Sequence, residues 1–233
     1  MQKTHVLFDF FGTLVRYSPS PAAQAYRRTY DVFTEAGYEG TSSDFVGLWS
    51  GVYAELEAQA RRTCREFTMH TQAAVVAERG IGRADRALVE RLFRTYLADW
   101  NVGVRHIEGV SEMIERLAAR YAMAVVSNTH DTELVPEHLA AMRVDHHMEV
   151  VVTSAELGVR KPATAIFEHA LDRLEVSPQQ CVYVGDTFDA DYLGATNAGL
   201  SCFLIDADEE TNVPDAHRLS SIAALPDRLA AIG

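Results

Sequence analysis

The chain has 233 residues, enough for one sizeable α/β domain or for a core domain with a smaller insertion. Hydrophobic residues make up 48% of it and the formal charge is −12 at pH 7. So negative a chain is not suited to general binding of nucleic acid or anionic membranes, because both require basic surface. An anionic small substrate is still possible, since one lysine or a metal ion can reverse the potential inside a pocket.

Neither export nor membrane insertion is expected. The first residues do not resemble a signal peptide, and no apolar run approaches the ~20 residues that span a bilayer. Cys64, Cys181 and Cys202 show no metal-binding spacing, and the last two lie in apolar runs. We expect Cys181 and Cys202 to be buried as small apolar side chains, in a protein of the reducing cytoplasm.

Short apolar runs without helical periodicity are typical of buried parallel strands. They cover residues 5–10, 122–128, 148–154, 181–186 and 201–206. Helical patterns lie between the later runs, over residues 110–121, 133–142, 163–176 and 191–199. This alternation predicts an α/β fold, a doubly wound parallel sheet with a Rossmann-like arrangement of helices on both faces.

Residues 16–102 break the alternation with four consecutive helical patterns and no strand between them. The block is too long for a crossover helix, so it predicts a helical cap domain inserted into a core formed by residues 1–15 and 103–233. The aromatic residues Phe45, Trp49 and Tyr53 recur every four positions and predict the cap's own core.

Helix boundaries within the cap are predicted from capping residues. We expect Ser42 or Ser43 to begin one helix, and Gly37, Gly80 and Gly82 to end helices.

Polar side chains follow the predicted strands of the sheet where each strand ends. Asp9, Ser127 with Asn128, and Asp186 end three strands, and Lys161 precedes Pro162, which is expected to open a helix. The carboxyl ends of parallel strands meet at one edge, so we expect these side chains to lie together. Asp9 and Asp186 could hold Mg²⁺, with Asp189 or Asp191 as a further ligand or support. Asp9 could then attack a phosphoryl group while Lys161 and Ser127 hold its oxygens.

Four segments resemble the haloacid dehalogenase superfamily of hydrolases over essentially the whole chain. They are DFFGTL, SN, GVRKP and GDTFDAD, and the helical insertion after the first is similar to the cap of that superfamily's first subclass. The resemblance implies Asp9 as nucleophile, Ser127 as phosphate ligand, Lys161 as charge stabiliser, Asp186 as metal ligand with Asp191 in support, and the carbonyl of Phe11 as the other protein ligand of Mg²⁺. We also expect Gly12 and Asn128 at the substrate, and a hydrogen bond from Thr13 that shapes the nucleophile loop.

Phe11 departs from the phosphatases of that superfamily, which usually carry a second aspartate there as general acid and base. A phenyl ring cannot transfer a proton. The superfamily's haloacid dehalogenases also lack this aspartate, carry a tyrosine in its place and need no metal. Taken alone, DFFGTL therefore resembles a dehalogenase.

Two other departures favour phosphoryl chemistry. Dehalogenases carry a Ser-x-Asn pattern where this chain has GDTFDAD, and their cap has an arginine after a Leu-Trp pair. Here Leu48-Trp49 is followed by Ser50. The leading hypothesis is therefore Mg²⁺-dependent hydrolysis of a small phosphomonoester through an aspartyl-phosphate at Asp9.

General acid–base assistance is worth about 10²–10⁴-fold, so its loss at Phe11 favours substrates with a good leaving group. His130, on the loop after the second core strand, is the candidate replacement proton donor. Two alternatives stay open: a metal-independent 2-haloacid dehalogenase that uses Asp9, and a weakly active protein that binds a phosphorylated ligand. We expect a small phosphorylated substrate, no nucleic acid or membrane partner, and a monomer or homodimer.

Overall fold

The structure is a computed structural model that describes residues 3–18 and 25–232. The chain divides into two compact units, Met1–Arg16 with His106–Gly233, and Tyr17–Arg105. We call them the core unit and the helical unit. The predicted start of the cap runs into residues 19–24, which lie outside the described residues.

A six-stranded parallel sheet organises the core unit. The sequence predicts the parallel sheet and five of its strands, but not the short sixth strand at Arg218–Leu219. Its strands are β1 (His5–Phe8), β4 (Ala122–Ser127), β5 (Met148–Thr153), β6 (Cys181–Gly185), β7 (Ser201–Ile205) and β8 (Arg218–Leu219). Their order is β5-β4-β1-β6-β7-β8, with every neighbouring pair parallel. The chain reverses its direction of winding at β1, so the end of β1 lies at the centre of the sheet's carboxyl edge.

Among the described residues of the core unit, five helices lie between the strands along the chain, and a sixth follows β8. They are α5 (Val110–Ala118), α6 (Leu134–Ala141), α7 (Ser154–Leu157), α8 (Thr164–Leu174), α9 (Gly194–Asn197) and α10 (Leu225–Ile232). The single helix predicted over 191–199 is wrong. The segment begins instead with a π-helical turn at Phe188–Leu193, and the α-helix α9 follows it. Pro162 does not open α8 either, since Ala163 caps that helix and Thr164 is its first residue.

One face of the sheet packs against α8 in a dry core. Leu7, Val126 and Tyr183 of the sheet meet Ile166 and Phe167 of the helix there, and all five are at most 1% exposed. Cys181 and Cys202 are buried in the same core, which confirms the prediction for both thiols. The packing of α8 on this face therefore excludes water from the region beneath the carboxyl edge of the sheet.

The helical unit holds four helices among its described residues, as predicted. They are α1 (Arg27–Glu35), α2 (Ser42–Thr63), α3 (Met69–Ile81) and α4 (Arg86–Asn101). The short strands β2 (Val15–Tyr17) and β3 (Val104–His106) form a two-stranded sheet at the points where the chain passes from one unit to the other. Phe45 and Trp49 are buried in the helical core and Tyr53 packs against it, which confirms the aromatic stripe.

The helix boundaries of this unit correct two predictions. Thr41, not Ser42 or Ser43, caps α2: its hydroxyl accepts from the Asp44 backbone N–H, and the Asp44 carboxylate accepts from the Thr41 backbone N–H. Gly82 ends α3 at φ 69°, as predicted, but Gly80 lies inside that helix. A side chain at Gly80 would come within 2.6 Å of the Phe33 ring, so packing accounts for this glycine.

Among residues 3–18 and 25–232, no helix combines the length and the apolar character needed to cross a bilayer.

Replacing Thr41 by Ala should destabilise the helical unit by about 1 kcal/mol, because the Asp44 backbone N–H loses the Thr41 hydroxyl as its acceptor. Ser43→Ala is the matched control, since Ser43 lies in the first turn without capping it. Urea unfolding followed by circular dichroism measures both. Equal losses in the two variants would show that the cap is placed wrongly.

Candidate active site

Four predicted residues converge at the carboxyl edge of the sheet. Asp9 follows β1, Asp186 follows β6, Asp191 lies in the π-helical turn, and Lys161 lies on the loop before α8. One oxygen from each of the three carboxylates lies within 4.8 Å of the others. Asp189 is exposed and is not part of this cluster. The structure thus brings these four residues together at one edge of the sheet, as the sequence predicts.

Lys161 lies at the centre of the cluster with its side chain buried. Its ammonium nitrogen donates to Asp9 Oδ1 at 2.7 Å, to Asp191 Oδ1 at 2.6 Å and to the Tyr183 hydroxyl oxygen at 2.9 Å. A lysine ammonium has three N–H groups, so these three partners use all of them. Lys161 therefore holds one oxygen of Asp9 in place.

Asp191 uses both of its oxygens inside the protein. Oδ1 contacts Lys161 and the Tyr183 hydroxyl, the latter at 2.9 Å. Oδ2 accepts from the backbone N–H groups of Asp186 and Thr187, at 3.1 and 2.9 Å. Asp191 therefore ties the lysine to the loop that carries Asp186. A side chain at Gly185 would come within 2.3 Å of the Asp191 carboxyl carbon, so this close approach requires glycine.

The loop after β4 holds the backbone of Lys161. The Asn128 side chain donates to the Lys161 carbonyl at 3.1 Å and accepts from the Lys161 N–H at 2.8 Å. Ser127 is fully buried, and its hydroxyl has a long 3.5 Å contact with the Asn128 carbonyl. His130 lies two residues beyond Asn128 and is half-buried. The substrate contacts of Ser127 and Asn128 and the proton transfer by His130 stay predictions.

The loop that follows Asp9, residues 10–15, is shaped by its backbone. The Phe10 carbonyl accepts from the N–H groups of Thr13, Leu14 and Val15, at 3.3, 2.9 and 3.1 Å. The predicted hydrogen bond from the Thr13 side chain is wrong, because its buried hydroxyl has no hydrogen-bond partner among the described residues. Phe11 is half-buried and meets Phe10 edge-on, with ring centroids 5.0 Å apart.

Gly12 is required by the approach of Asp186 to this loop. Its φ is +90°, and a Cβ there would lie 2.0 Å from Asp186 Oδ2. The residue is therefore confined to glycine by both conformation and space. Gly12 thus allows the Asp186 carboxylate to lie beside the loop that follows Asp9.

The cluster carries more negative than positive charge. Burial, together with the nearby Asp191 and Asp186 carboxylates, raises the pKa of Asp9 to about 7 although Lys161 acts in the opposite direction. Burial and Asp191 raise the pKa of Asp186 to about 6. Burial alone would lower the pKa of Lys161, but the Asp191 and Asp9 carboxylates outweigh it and raise the pKa. One ammonium thus faces three carboxylates.

This charge and donor set fits a hard cation. Carboxylate oxygens are the ligands that Mg²⁺ prefers, and a divalent ion would balance the excess negative charge. Asp9 and Asp186 are the better candidates, because Asp191 already accepts hydrogen bonds at both oxygens.

Sequence reasoning missed Tyr183, which is fully buried with its hydroxyl among Lys161, Asp191 and the Val126 carbonyl. The available signal was a tyrosine in an otherwise aliphatic strand, two residues before Gly185. A buried phenol needs a hydrogen-bond partner, so it indicates polar neighbours.

Comparison with known proteins shows the family. Residues 6–205 match the family described as haloacid dehalogenase-like hydrolase. A glyceraldehyde 3-phosphate phosphatase of Methanothermobacter thermautotrophicus is 39% identical over 98 residues, 42% of this chain and 43% of that protein. A ribulose-1,5-bisphosphate 5-phosphatase of Halopiger xanaduensis is 26% identical over 220 residues, 91% of this chain and 89% of that protein.

Solved structures show the same fold. A 2-haloacid dehalogenase from Pseudomonas syringae pv. Tomato superposes with a TM-score of 0.77 and 21% identity, covering 100% of both chains. At this identity the likeness shows the fold alone.

Gly12→Ala should lower the free energy of unfolding more than Gly158→Ala. Both glycines have positive φ, 90° and 74°, but a Cβ at Gly158 would meet nothing within 4 Å. Gly158→Ala therefore carries only the backbone strain of about 1–2 kcal/mol, whereas Gly12→Ala must also displace Asp186. Urea unfolding of the two variants measures the difference. Equal losses would mean that Asp186 does not lie against the loop that follows Asp9.

Proposed function

Because the chain belongs to the haloacid dehalogenase-like hydrolase family, we propose that it hydrolyses small phosphomonoesters with Mg²⁺ through a phosphorylated Asp9. The observation that carries this proposal is the buried Asp9–Lys161 pair beside a second carboxylate, Asp186, whose charge Lys161 does not balance. A metal-free reaction at Asp9 has no use for that second carboxylate.

Asp9 is the nucleophile in this proposal. One of its carboxylate oxygens bonds to phosphorus while the bond from phosphorus to the leaving-group oxygen breaks. Water then attacks phosphorus, the phosphorus–Asp9 bond breaks, and inorganic phosphate leaves with the Asp9 carboxylate regenerated. Lys161 donates to Asp9 Oδ1 at 2.7 Å, and in this proposal that contact orients the carboxylate for attack.

Asp9, Asp186 and the carbonyl of Phe11 are the groups that would hold Mg²⁺, as the resemblance implies. When bound, the ion would neutralise charge on the transferring phosphoryl group. We propose that Asp191 supports the site through Lys161 and the 186–187 loop, because its oxygens already accept four hydrogen bonds. Ser127 is the proposed donor to a phosphoryl oxygen, and Asn128 supports Lys161 through its backbone.

Phe11 restricts the substrate class. Its side chain cannot protonate a leaving alkoxide, so we propose substrates whose leaving group is already stable, such as acyl, anomeric or aryl phosphates. His130 is the proposed proton donor for poorer leaving groups. The two curated relatives act on small phosphorylated carbon compounds, by their names, which supports a phosphorylated small molecule as substrate.

We also propose that the helical unit is the cap of the superfamily's first subclass, spanning about residues 16–102, and that its residues select the substrate. Cytoplasmic location and a monomeric or dimeric state stay predictions from the sequence.

A second candidate function is the hydrolysis of 2-haloacids, which Phe11 favours because dehalogenases also lack an acid at this position. In that reaction Asp9 would displace halide from carbon, and water would cleave the resulting ester. The excess negative charge at Asp9 and Asp186 speaks against it, since repulsion would weaken binding of a carboxylate substrate without a compensating cation.

Phosphate release from an aryl phosphate should require Mg²⁺ and stop in EDTA. Halide release from 2-chloropropionate, assayed in the same two buffers, should be absent. Halide release that survives EDTA would establish the second candidate function instead.

Asp9→Asn should lower phosphate release at least about 10³-fold, because an amide is a poor nucleophile and cannot carry the phosphoryl group. Asp189→Asn is the matched control, since Asp189 is exposed and outside the cluster. A loss shared by both variants would argue that charge alone, and not covalent chemistry at Asp9, accounts for activity.

Mg²⁺ should stabilise the protein more strongly as the pH rises. Burial raises the pKa of Asp9 to about 7 in the folded protein, above its value in the unfolded chain. The free energy of unfolding without metal therefore falls as the pH rises toward 7. Deprotonated Asp9 and Asp186 bind the ion better, so apparent affinity should increase more than about tenfold between pH 5.5 and pH 8. Thermal unfolding with Mg²⁺ or EDTA across this range measures the effect. A shift independent of pH would place the ion elsewhere.

A further inference from the structure

Two histidines of the core unit lie side by side and are not part of the carboxylate cluster. His106 is the last residue of β3, and His138 lies in α6. We propose that this pair binds a divalent transition-metal ion such as Zn²⁺ through His106 Nε2 and His138 Nδ1. The inference does not depend on the proposed function, because neither histidine takes part in it.

The facing nitrogens of the pair have the spacing of two ligands on one metal ion. His106 Nε2 lies 3.1 Å from His138 Nδ1. Zinc–nitrogen bonds of about 2.0–2.1 Å place two ligand nitrogens about 2.9–3.4 Å apart, for angles at the metal from about 90° to the tetrahedral value. The rings are nearly perpendicular, at 85° with centroids 5.3 Å apart, so they meet at an edge and do not stack. An ion can therefore bind both nitrogens with little movement of either side chain.

One proton lies between the two rings when no metal is bound. One facing nitrogen donates and the other accepts, so a single hydrogen bond joins the pair. When the metal binds, that proton leaves its nitrogen, and the same ring takes up a proton from solvent at its other nitrogen. Both rings stay neutral, and each presents a lone pair to the ion.

The surroundings of His138 hold its ring in place. The ring is half-buried and packs against the fully buried ring of Phe10, with centroids 6.0 Å apart. Burial, and then the neighbouring His106, lower the pKa of His138, which favours the neutral ring that metals bind. A ligand that is already held loses little conformational freedom when the ion binds.

His106 leaves the site open to solvent, because its side chain is exposed. Over residues 3–18 and 25–232, the carboxylate cluster is the only group of three or more acidic, cysteine or histidine side chains with ligand atoms close together. Water therefore completes the coordination of an ion at the histidine pair. Imidazole nitrogen suits Zn²⁺, Ni²⁺ and Cu²⁺, whereas Mg²⁺ prefers oxygen. The histidine pair and the carboxylate cluster thus select different metals.

An ion at this pair would join two elements that are distant in sequence. β3 lies where the chain passes from the helical unit into the core unit. α6 places His138 against Phe10, whose carbonyl accepts the hydrogen bonds that shape the loop after Asp9. The ion would therefore fasten β3 to the helix that packs beside that loop.

His106→Gln tests the pair with little risk to the fold, because His106 is exposed. A glutamine amide can keep a hydrogen bond to His138 Nδ1, but it is a poor ligand for zinc. The substitution therefore separates the hydrogen bond from metal binding. His146→Gln is the matched control, since His146 is also exposed and lies beside a second imidazole, His147, with ring centroids 4.0 Å apart.

Isothermal titration calorimetry of the untagged full chain with ZnCl₂, in excess Mg²⁺, measures the affinity. The wild type and His146→Gln should bind zinc equally well. His106→Gln should bind at least about tenfold more weakly, because even the loss of an outer partner of a metal ligand costs about 10–100-fold. Zinc held by the carboxylate cluster would contribute equally in all three proteins, so the difference between them belongs to the histidine pair.

Long-range ¹H–¹⁵N NMR spectra of the histidine rings identify the nitrogens that bind. Zinc should shift the signals of His106 Nε2 and His138 Nδ1 in the wild type and leave those of His146 and His147 unchanged. Equal affinity of His106→Gln and the wild type, zinc-induced shifts confined to other histidines, or no zinc binding by the wild type would overturn the proposal. Neither measurement requires activity, so a failure of the proposed function would be seen separately.

Discussion

The buried ammonium group of Lys161 is the interaction on which the rest of the site depends. An isolated charge in this dry interior would be strongly unfavourable, and three acceptors around it offset that desolvation. Those acceptors come from β1, β6 and the π-helical turn, while Asn128 after β4 holds the lysine backbone. The ammonium group of Lys161 therefore requires residues of β1, β6 and β4 to lie close together. The sheet order β4-β1-β6 supplies that arrangement.

The same arrangement leaves a charge imbalance that has a chemical use. Lys161 compensates part of the negative charge of Asp9 and Asp191, and Asp186 remains beside them with a raised pKa. Gly12 allows this close approach, since any side chain there would overlap Asp186. This excess of like charge fits the divalent cation that the proposed function requires.

Local sequence signals predicted most of the fold and part of the site. Asp9 and Asp186 were found because buried strands end in carboxylates, and Lys161 because it precedes Pro162 on a loop expected to reach the same edge of the sheet. Tyr183 was missed because its role depends on register: only the pairing of Leu7 with Tyr183 places the phenol under Asp9. The cap at Thr41 was misplaced by one or two residues because serine ranks above threonine as an N-cap residue, and two serines follow Thr41. The hydrogen bond expected from the Thr13 side chain was wrong for another reason. Backbone hydrogen bonds to the Phe10 carbonyl shape this loop instead.

The central claim is that Asp9 becomes covalently phosphorylated, and the most direct measurement is to trap that state. The full chain would be mixed with an aryl phosphate and Mg²⁺, quenched in acid during turnover and digested, and its peptides analysed by mass spectrometry. The account predicts the mass of one phosphoryl group on the peptide that contains Asp9, and its absence in EDTA. A phosphoryl group on another residue, or turnover with no phosphorylated peptide at any quench time, would contradict the account.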